Sequence, residues 1–183
     1  TTKECCEWYF RDGHPSIYWP LASDPEIFAA SKNKKKDIDV IFVGSCYGKR
    51  KSLVEYLAKN NVNIKAYGNG WPNGSIPPEK ISELFNRSKI ILGSGKVGHS
   101  NKIMTIKMRD FDAPMTGSAY LTDYNPALLE FYKPNKEIKL FSTKEECLYI
   151  IKHLLMNEEE CIKIGKQAQL RCLRDHTWSK IGR

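Results

Sequence analysis

The chain contains no apolar run approaching the roughly 18 residues that cross a bilayer, so no membrane-spanning helix is expected. Its six cysteines form no Cys-x-x-Cys pair, and no His stands at zinc-ligand spacing from them, which gives no zinc module. There is no internal repeat and no low-complexity tract, which excludes a solenoid and an extended disordered arm. No Gly-Lys-Ser/Thr stands in the frame of a Walker loop. An initiator Met is also missing: the chain opens Thr1-Thr2-Lys3-Glu4-Cys5-Cys6, with no signal peptide in view, and reads as a fragment or processed form.

What remains is ordinary for a globular domain: 183 residues, 41% hydrophobic and 27% charged. The thiols suit reduced cysteines in the cytoplasm. The net charge is +8, which admits nucleic acid, membrane surfaces or small anions as partners. Part of it is local, in Lys32-Asn33-Lys34-Lys35-Lys36, which reads as a solvated link. The rest is scattered, which argues against nucleic acid.

From residue 37 onward, strands and helices alternate with short links. Asp37–Gly44 is an apolar run ending at Gly, as in a strand buried on both faces. Amphipathic helices are expected over 49–60 and 78–88, and strands over 62–67, 89–92, 118–122 and 137–141. Thr143-Lys144-Glu145-Glu146 is a capping box opening a helix, and a longer helix runs to about His176. Before residue 37, a short helix is expected over 3–12, a strand at Ser16–Trp19 and a helix start at Ser23-Asp24-Pro25-Glu26. The alternation predicts an α/β fold, a doubly wound parallel sheet of Rossmann-like kind. Ligands then bind at the carboxyl ends of the strands, here Gly44-Ser45, Tyr67-Gly68, Gly93-Ser94 and Leu121-Thr122.

One of those ends, and the helix that leads into the 118–122 strand, carry charge. Val43-Gly44-Ser45-Cys46-Tyr47-Gly48-Lys49-Arg50 is a glycine-bearing turn into a helix, with Lys49 and Arg50 positioned for an anion. Arg109-Asp110-Phe111-Asp112-Ala113-Pro114-Met115-Thr116-Gly117 is a helix running into a buried strand. Met104, Met108, Phe111 and Met115 fall on one helical face toward the core, and Arg109, Asp112 and Thr116 on another. Asp112 needs a partner, which is either Arg109 in a structural pair or a ligand hydroxyl. Gly93–Ser100 reads as a flexible loop carrying His99, and Trp71 either stacks on a ligand or lids the core. His153 and His176 read as structural, and Glu137 as a solvated edge residue.

Several pieces stand in a familiar order. They are Tyr18-Trp19-Pro20-Leu21-Ala22-Ser23-Asp24-Pro25, Asp39–Ser45 with Arg50, Tyr67-Gly68-x-Gly70-Trp71, Ser88–Leu92, Arg109-x-Phe111-Asp112-Ala113-x-x-x-Gly117, Thr122–Pro126, Glu137-x-x-x-Phe141 and His176-Thr177-Trp178. With them the chain resembles the C-terminal domain of GT-B glycosyltransferases, especially the branch related to the spore maturation protein CgeB.

The resemblance implies that residues 37–183 bind a UDP- or GDP-sugar and transfer the sugar without a metal or bound cofactor. It makes residues 1–36 the remnant of a missing N-terminal acceptor domain plus the interdomain segment. It puts Asp112 on the ribose hydroxyls and Lys49, Arg50, Lys107, Met108 and Arg109 near the diphosphate, with Gly44 and Ser45 beside it and Ile76 along the base. The chain departs from retaining relatives at Met104, where they carry a Glu, and in Asp112, one methylene shorter than their usual Glu. The Asp-x-Asp letters at Asp37–Asp39 begin a buried strand and do not sit in a ligand loop. Two other readings stand beside this one: a Rossmann-like module without catalysis, and a DNA-modifying glycosyltransferase suggested by the charge.

Overall fold

The computed structural model describes residues 3–31, 35–100 and 103–181. The apolar run after the basic link forms β1 (Ile38–Val43). It is followed by α2 (Lys49–Lys59), β2 (Ile64–Tyr67), α3 (Pro78–Arg87), β3 (Ser88–Leu92), α4 (Arg109–Met115), β4 (Ala119–Asp123), a 3-10 turn at Pro126–Glu130, β5 (Lys139–Phe141), α5 (Lys144–Met156), α6 (Glu158–Asp175) and α7 (Trp178–Ile181); α1 (Lys3–Arg11) precedes them. The five strands are all parallel, in the order β2-β1-β3-β4-β5. Alternate residues of each strand feed two cores: Val40, Phe42, Ile90 and Leu92 pack under α2 and α5, while Ile41, Ile91 and Tyr120 pack under α3 and α4. α6 closes both, with Cys161 and Ile164 in one core and Cys172 in the other. This is the doubly wound, Rossmann-like sheet expected, and the order reverses at β1, which puts the switch point between β1 and β3.

Local chemistry explains two of the helix starts. α3 has Pro78 at its first position, where the missing N–H costs nothing. α5 is capped by Thr143, whose hydroxyl accepts from Glu146 N at 3.1 Å, while Glu146 reaches back to Ser142 N at 2.7 Å, one residue upstream of the usual capping-box donor.

Four expectations are corrected here. Ser16–Trp19 is no strand: Ile17 and Trp19 are exposed, and β propensity without a neighbouring strand makes no ladder. Ser23–Glu26 opens one turn only, closed by Phe28 N to Asp24 O at 2.9 Å, because Asn86 then pulls the chain straight by bonding Ala29 O and Ser31 N. Lys36 is not solvated: its ammonium donates to Ser88 O at 2.9 Å and to Ser118 Oγ at 2.5 Å, and burial lowers its pKa to about 8. Lys32–Lys34 lie outside the described residues. Glu137 is not a solvated edge group but accepts from Lys133 N at 2.7 Å and faces Arg171.

Candidate functional site

Gly44 ends β1 with a φ of 153°, and the guanidinium of Arg109 fills the space beside it: a Cβ there would come within 2.9 Å of Nη1. The same guanidinium lies 4.9 Å from the centre of the Phe42 ring. Arg50, from the first turn of α2, approaches the same ring at 5.7 Å, stacks on Tyr47 at 4.1 Å and donates to Ser45 O at 3.1 Å. Arg50 is only 7% exposed. Its pKa is lowered by burial first and by Arg109 second. Lys107 is the third cation, held down by burial and then by Arg50. Among the described residues none of the three pairs with a carboxylate, and the buried Nε atoms of Arg50 and Arg109 have no hydrogen-bond partner.

Two carboxylates lie nearby: Asp110, whose charge reaches Lys107 and Arg109 through space, and Asp123, at the end of β4. Asp123 is buried, and its two oxygens accept from Ser94 Oγ at 3.1 Å and Gly95 N at 2.7 Å. Its charge favours Arg50 and Lys107 only through space. Sequence reasoning missed Asp123 and Ser94; an acid on the last residue of a predicted strand was the available signal. It also missed that Gly93-Ser94-Gly95-Lys96-Val97-Gly98 spells Gly-x-Gly-x-x-Gly directly after β3. No helix follows it, because the chain turns back and Lys96 bridges Met104. Gly93, Ser94 and Gly95 are buried, so only the outer part of this loop, with exposed His99, is free surface. Gly48 and Gly98 touch: a Cβ on Gly48 would meet Gly98 O at 2.0 Å, so the turn after β1 and the loop after β3 share one wall.

The helix bearing Arg109 is shorter than its pattern. α4 has seven residues, Met104 lies in the bridge, and Met108 is exposed, while Phe111 and Met115 reach the core as expected. Asp110 causes the late start by accepting from Lys107 N at 2.7 Å and from Tyr120 Oη. Pro114 sits inside this helix, where it cannot donate to the carbonyl of Asp110. Tyr132 Oη supplies that bond instead, at 2.8 Å.

Asp112 does not pair with Arg109, because the Arg109 guanidinium reaches over Phe42 beside Gly44 while the Asp112 carboxyl turns to Ser23. It packs against Ser23 of the segment that enters the sheet, and burial pushes its carboxyl up to about 7. Asp112 Oδ1 and Ser23 Oγ are both buried without a well-aligned hydrogen bond, although Ser23 lies close enough to draw the carboxyl part of the way back down. Ser23 is itself tied to the chain end, through Ser23 N to His176 O at 2.9 Å.

The structure therefore brings together Gly44, Ser45, Arg50, Lys107 and Arg109. Lys49 lines the next cleft, Met108 precedes α4, and Ile76 stands half-buried before α3. Neither Ile76 nor the Asp112 carboxylate shares a hydrogen bond or ion pair with the cluster. Trp71 lids the core, edge-on to Phe42 at 5.9 Å, with Nε1 donating to Gly44 O at 2.7 Å. His176 is buried among Phe111, Phe131 and Tyr132, and His153 faces Glu160 at 2.7 Å. Asp37 and Asp39 pair with Arg87 and Lys89 at the amino ends of the strands, far from the switch point. The buried Cys147, Cys161 and Cys172 form no disulfide, and burial raises the Cys161 thiol to about 11 and that of Cys172 to about 12. No group of residues suited to a metal and no helix able to cross a membrane occurs among the described residues.

A second cavity, of about 160 Å³, lies at the amino ends of the strands between Lys36, Lys89 and the apolar Leu154, Leu155 and Ile162. It is remote from the cations and from the switch point.

Comparison with known proteins agrees with this fold. The chain overlays sucrose-phosphate synthase from Thermosynechococcus elongatus with a TM-score of 0.74 at 13% identity, covering 99% of this chain and 54% of that one. Anabaena HepE, in complex with UDP-glucose, gives 0.69 at 12% identity over 87% of this chain and 53% of its own. The C-terminal domain of the group 1 glycosyl transferase LpcC from Francisella tularensis gives 0.64 at 12% identity, covering 85% of this chain and 99% of that domain. The chain thus spans about half of the first and second proteins and nearly the whole of the isolated third. A search of curated sequences finds no match. The model of the family described as glycosyl transferase-like matches residues 49–182, which include Lys49 and Arg50 at the end of the basic turn, the Arg109 helix and α6, and the chain belongs to that family.

Proposed function

We propose that this chain is the donor-binding part of a GT-B glycosyltransferase of the CgeB-related branch, holding the diphosphate of a UDP- or GDP-sugar at the switch point between β1 and β3. Residues 37–183 form the nucleotide-sugar domain. Residues 1–36 belong to the interdomain segment and the end of an acceptor-binding domain that completes the cleft. The carrying observation is the grouping of Arg50 and Arg109 on Phe42 beside Gly44, with Lys107 close enough to feel both, none of the three in an ion pair and Asp110 and Asp123 acting on them only through space. Buried like charges are costly unless an anion joins them, and a diphosphate supplies two to three negative charges on one short group. During transfer further charge develops on that leaving diphosphate, and preorganised cations stabilise it. Transfer then needs no metal.

In this reading Gly44 and Ser45 let backbone approach the phosphates, the backbone at Met108 lies beside them with Lys49 at the rim, and Ile76 lines the base. Asp112 Oδ1, buried without a well-aligned hydrogen bond, takes a ribose hydroxyl. Complexes of HepE with UDP-glucose and of the pneumococcal O-GlcNAc transferase GtfA with UDP and GlcNAc support the donor class. Such a donor and the buried thiols of Cys147, Cys161 and Cys172 fit a cytoplasmic enzyme.

Calorimetric titration with UDP, GDP and their sugars tests the proposal, with amide NMR to locate the contacts. We expect one of the nucleotides to bind and to shift resonances around Gly44, Arg50 and Asp112. Arg109→Ala is expected to weaken that binding by about 10- to 100-fold, the loss of a charge-assisted phosphate contact of about 1.5–3 kcal/mol. Its melting temperature should change little, because relief from the repulsion of Arg50 and Lys107 offsets the lost contact with Phe42. If no nucleotide perturbs these residues, the donor reading is wrong.

A further inference from the structure

Beside the donor site lies a second cleft, of about 230 Å³, between the starts of α2 and α5 and open above the ends of β3, β4 and β5. Arg50 forms one wall, Lys96 of the loop after β3 another, and Lys144 of the first turn of α5 the third; Ser94 and Asp123 form the floor. Asp123 is the one carboxylate lining it, and both its oxygens are already taken by Ser94 Oγ and Gly95 N. Lys144 stands 4.6 Å over the Tyr56 ring, and its contact with Glu145, at 3.9 Å between well-exposed groups, does little to neutralise it. Arg50 is 7% exposed, and its Nε has no partner.

We propose that this cleft binds a second anionic group, a phosphate or carboxylate that is not part of the donor diphosphate and that belongs either to the transferred sugar or to the acceptor. The inference rests on the donor reading above. Arg50, Lys107 and Arg109 already match the charge of a diphosphate, and neither Lys107 nor Arg109 lines this cleft. Lys96 and Lys144 are therefore surplus to the diphosphate. Arg50, between Phe42 on one side and the cleft on the other, is the wall the two sites share. A neutral sugar or acceptor gains nothing from cations grouped around a satisfied carboxylate, whereas an anion does.

The test titrates inorganic phosphate into the intact chain with and without saturating UDP or GDP, whichever binds. Phosphate is expected to bind in the presence of the nucleotide. The double variant Lys96→Ala/Lys144→Ala should weaken phosphate at least tenfold and the nucleotide less than threefold; Arg109→Ala should do the reverse. Comparing UDP-glucuronate with UDP-glucose separates the sources. A tenfold preference for the uronate, lost in the double variant, assigns the anion to the sugar. Equal affinity, with glucose 1-phosphate binding alongside UDP, assigns it to the acceptor. Displacement of phosphate by the nucleotide, absence of phosphate binding, or a double variant that weakens both ligands equally would overturn the second site. Phosphate binding without any nucleotide binding would leave this cleft standing and remove the donor reading instead.

Discussion

Asp112→Asn is expected to raise stability at pH 8 by about 2 kcal/mol while weakening nucleoside diphosphate binding tenfold or more. Burial lifts the carboxyl from 3.8 to about 7. Between those values the folded chain holds a proton that the unfolded chain releases. The contribution of Asp112 is therefore most favourable below about pH 4 and is lost as pH rises through 7. Each pKa unit is worth about 1.4 kcal/mol, which sets an upper limit of about 4 kcal/mol, and relaxation around Ser23 reduces it. Asn keeps the shape, carries no charge at any pH and can bond Ser23 Oγ. Thermal melts at pH 8 and pH 5 check this: about 5 °C of stabilisation at the higher pH, at about 2–4 °C per kcal/mol, shrinking at the lower one. An equal gap at both pH values would mean that the charge is not the cause. Binding moves the other way, because Asn cannot replace a carboxylate on two hydroxyls. Unchanged affinity for UDP and GDP removes the ribose role. Stability sacrificed at one residue and recovered as affinity is the usual pattern of a functional site.

Gly165→Ala is expected to cost about 3 kcal/mol and lower the melting temperature by roughly 10 °C. Helix propensity alone favours Ala over Gly by about 1 kcal/mol. The close approach dominates: a Cβ on Gly165 would lie 2.2 Å from Gly117 O and 2.9 Å from the Ser118 carbonyl carbon, backbone atoms that cannot rotate aside. They belong to the corner joining α4 to β4, so any relief moves the helix that aims Arg109. Melting and nucleotide affinity should therefore fall together. A variant as stable as the parent would show that α6 can back away from this corner.

The fold was legible because its strands are nearly continuous apolar runs. Val40–Phe42 and Ile90–Leu92 are buried on both faces, and only a covered parallel sheet asks for that. The site was legible in part. Arg50 and Arg109 were visible as cations next to strand ends, but their convergence on Phe42 depends on the strand order, which periodicity does not reveal. Asp110 and Asp112 are two residues apart in the same short helix and look alike in sequence. The first is an internal cap for Lys107 N and the second an unpaired carboxylate, and the difference lies in Tyr120 and Ser23, which come from distant parts of the chain. Lys36 misled for the same reason: its partners, Ser88 and Ser118, are contributed by the starts of β3 and β4.

The bond from Trp71 Nε1 to Gly44 O turns that indole into an optical reporter of the switch point. The chain has four tryptophans. Trp8, Trp19 and Trp178 are 60%, 54% and 40% exposed, against 8% for Trp71. A soluble quencher such as iodide should extinguish the three and leave a blue-shifted emission from the fourth. Any anion that draws Arg109 or the Gly44 backbone toward itself changes the field along that N–H bond, and the residual emission should shift with occupancy.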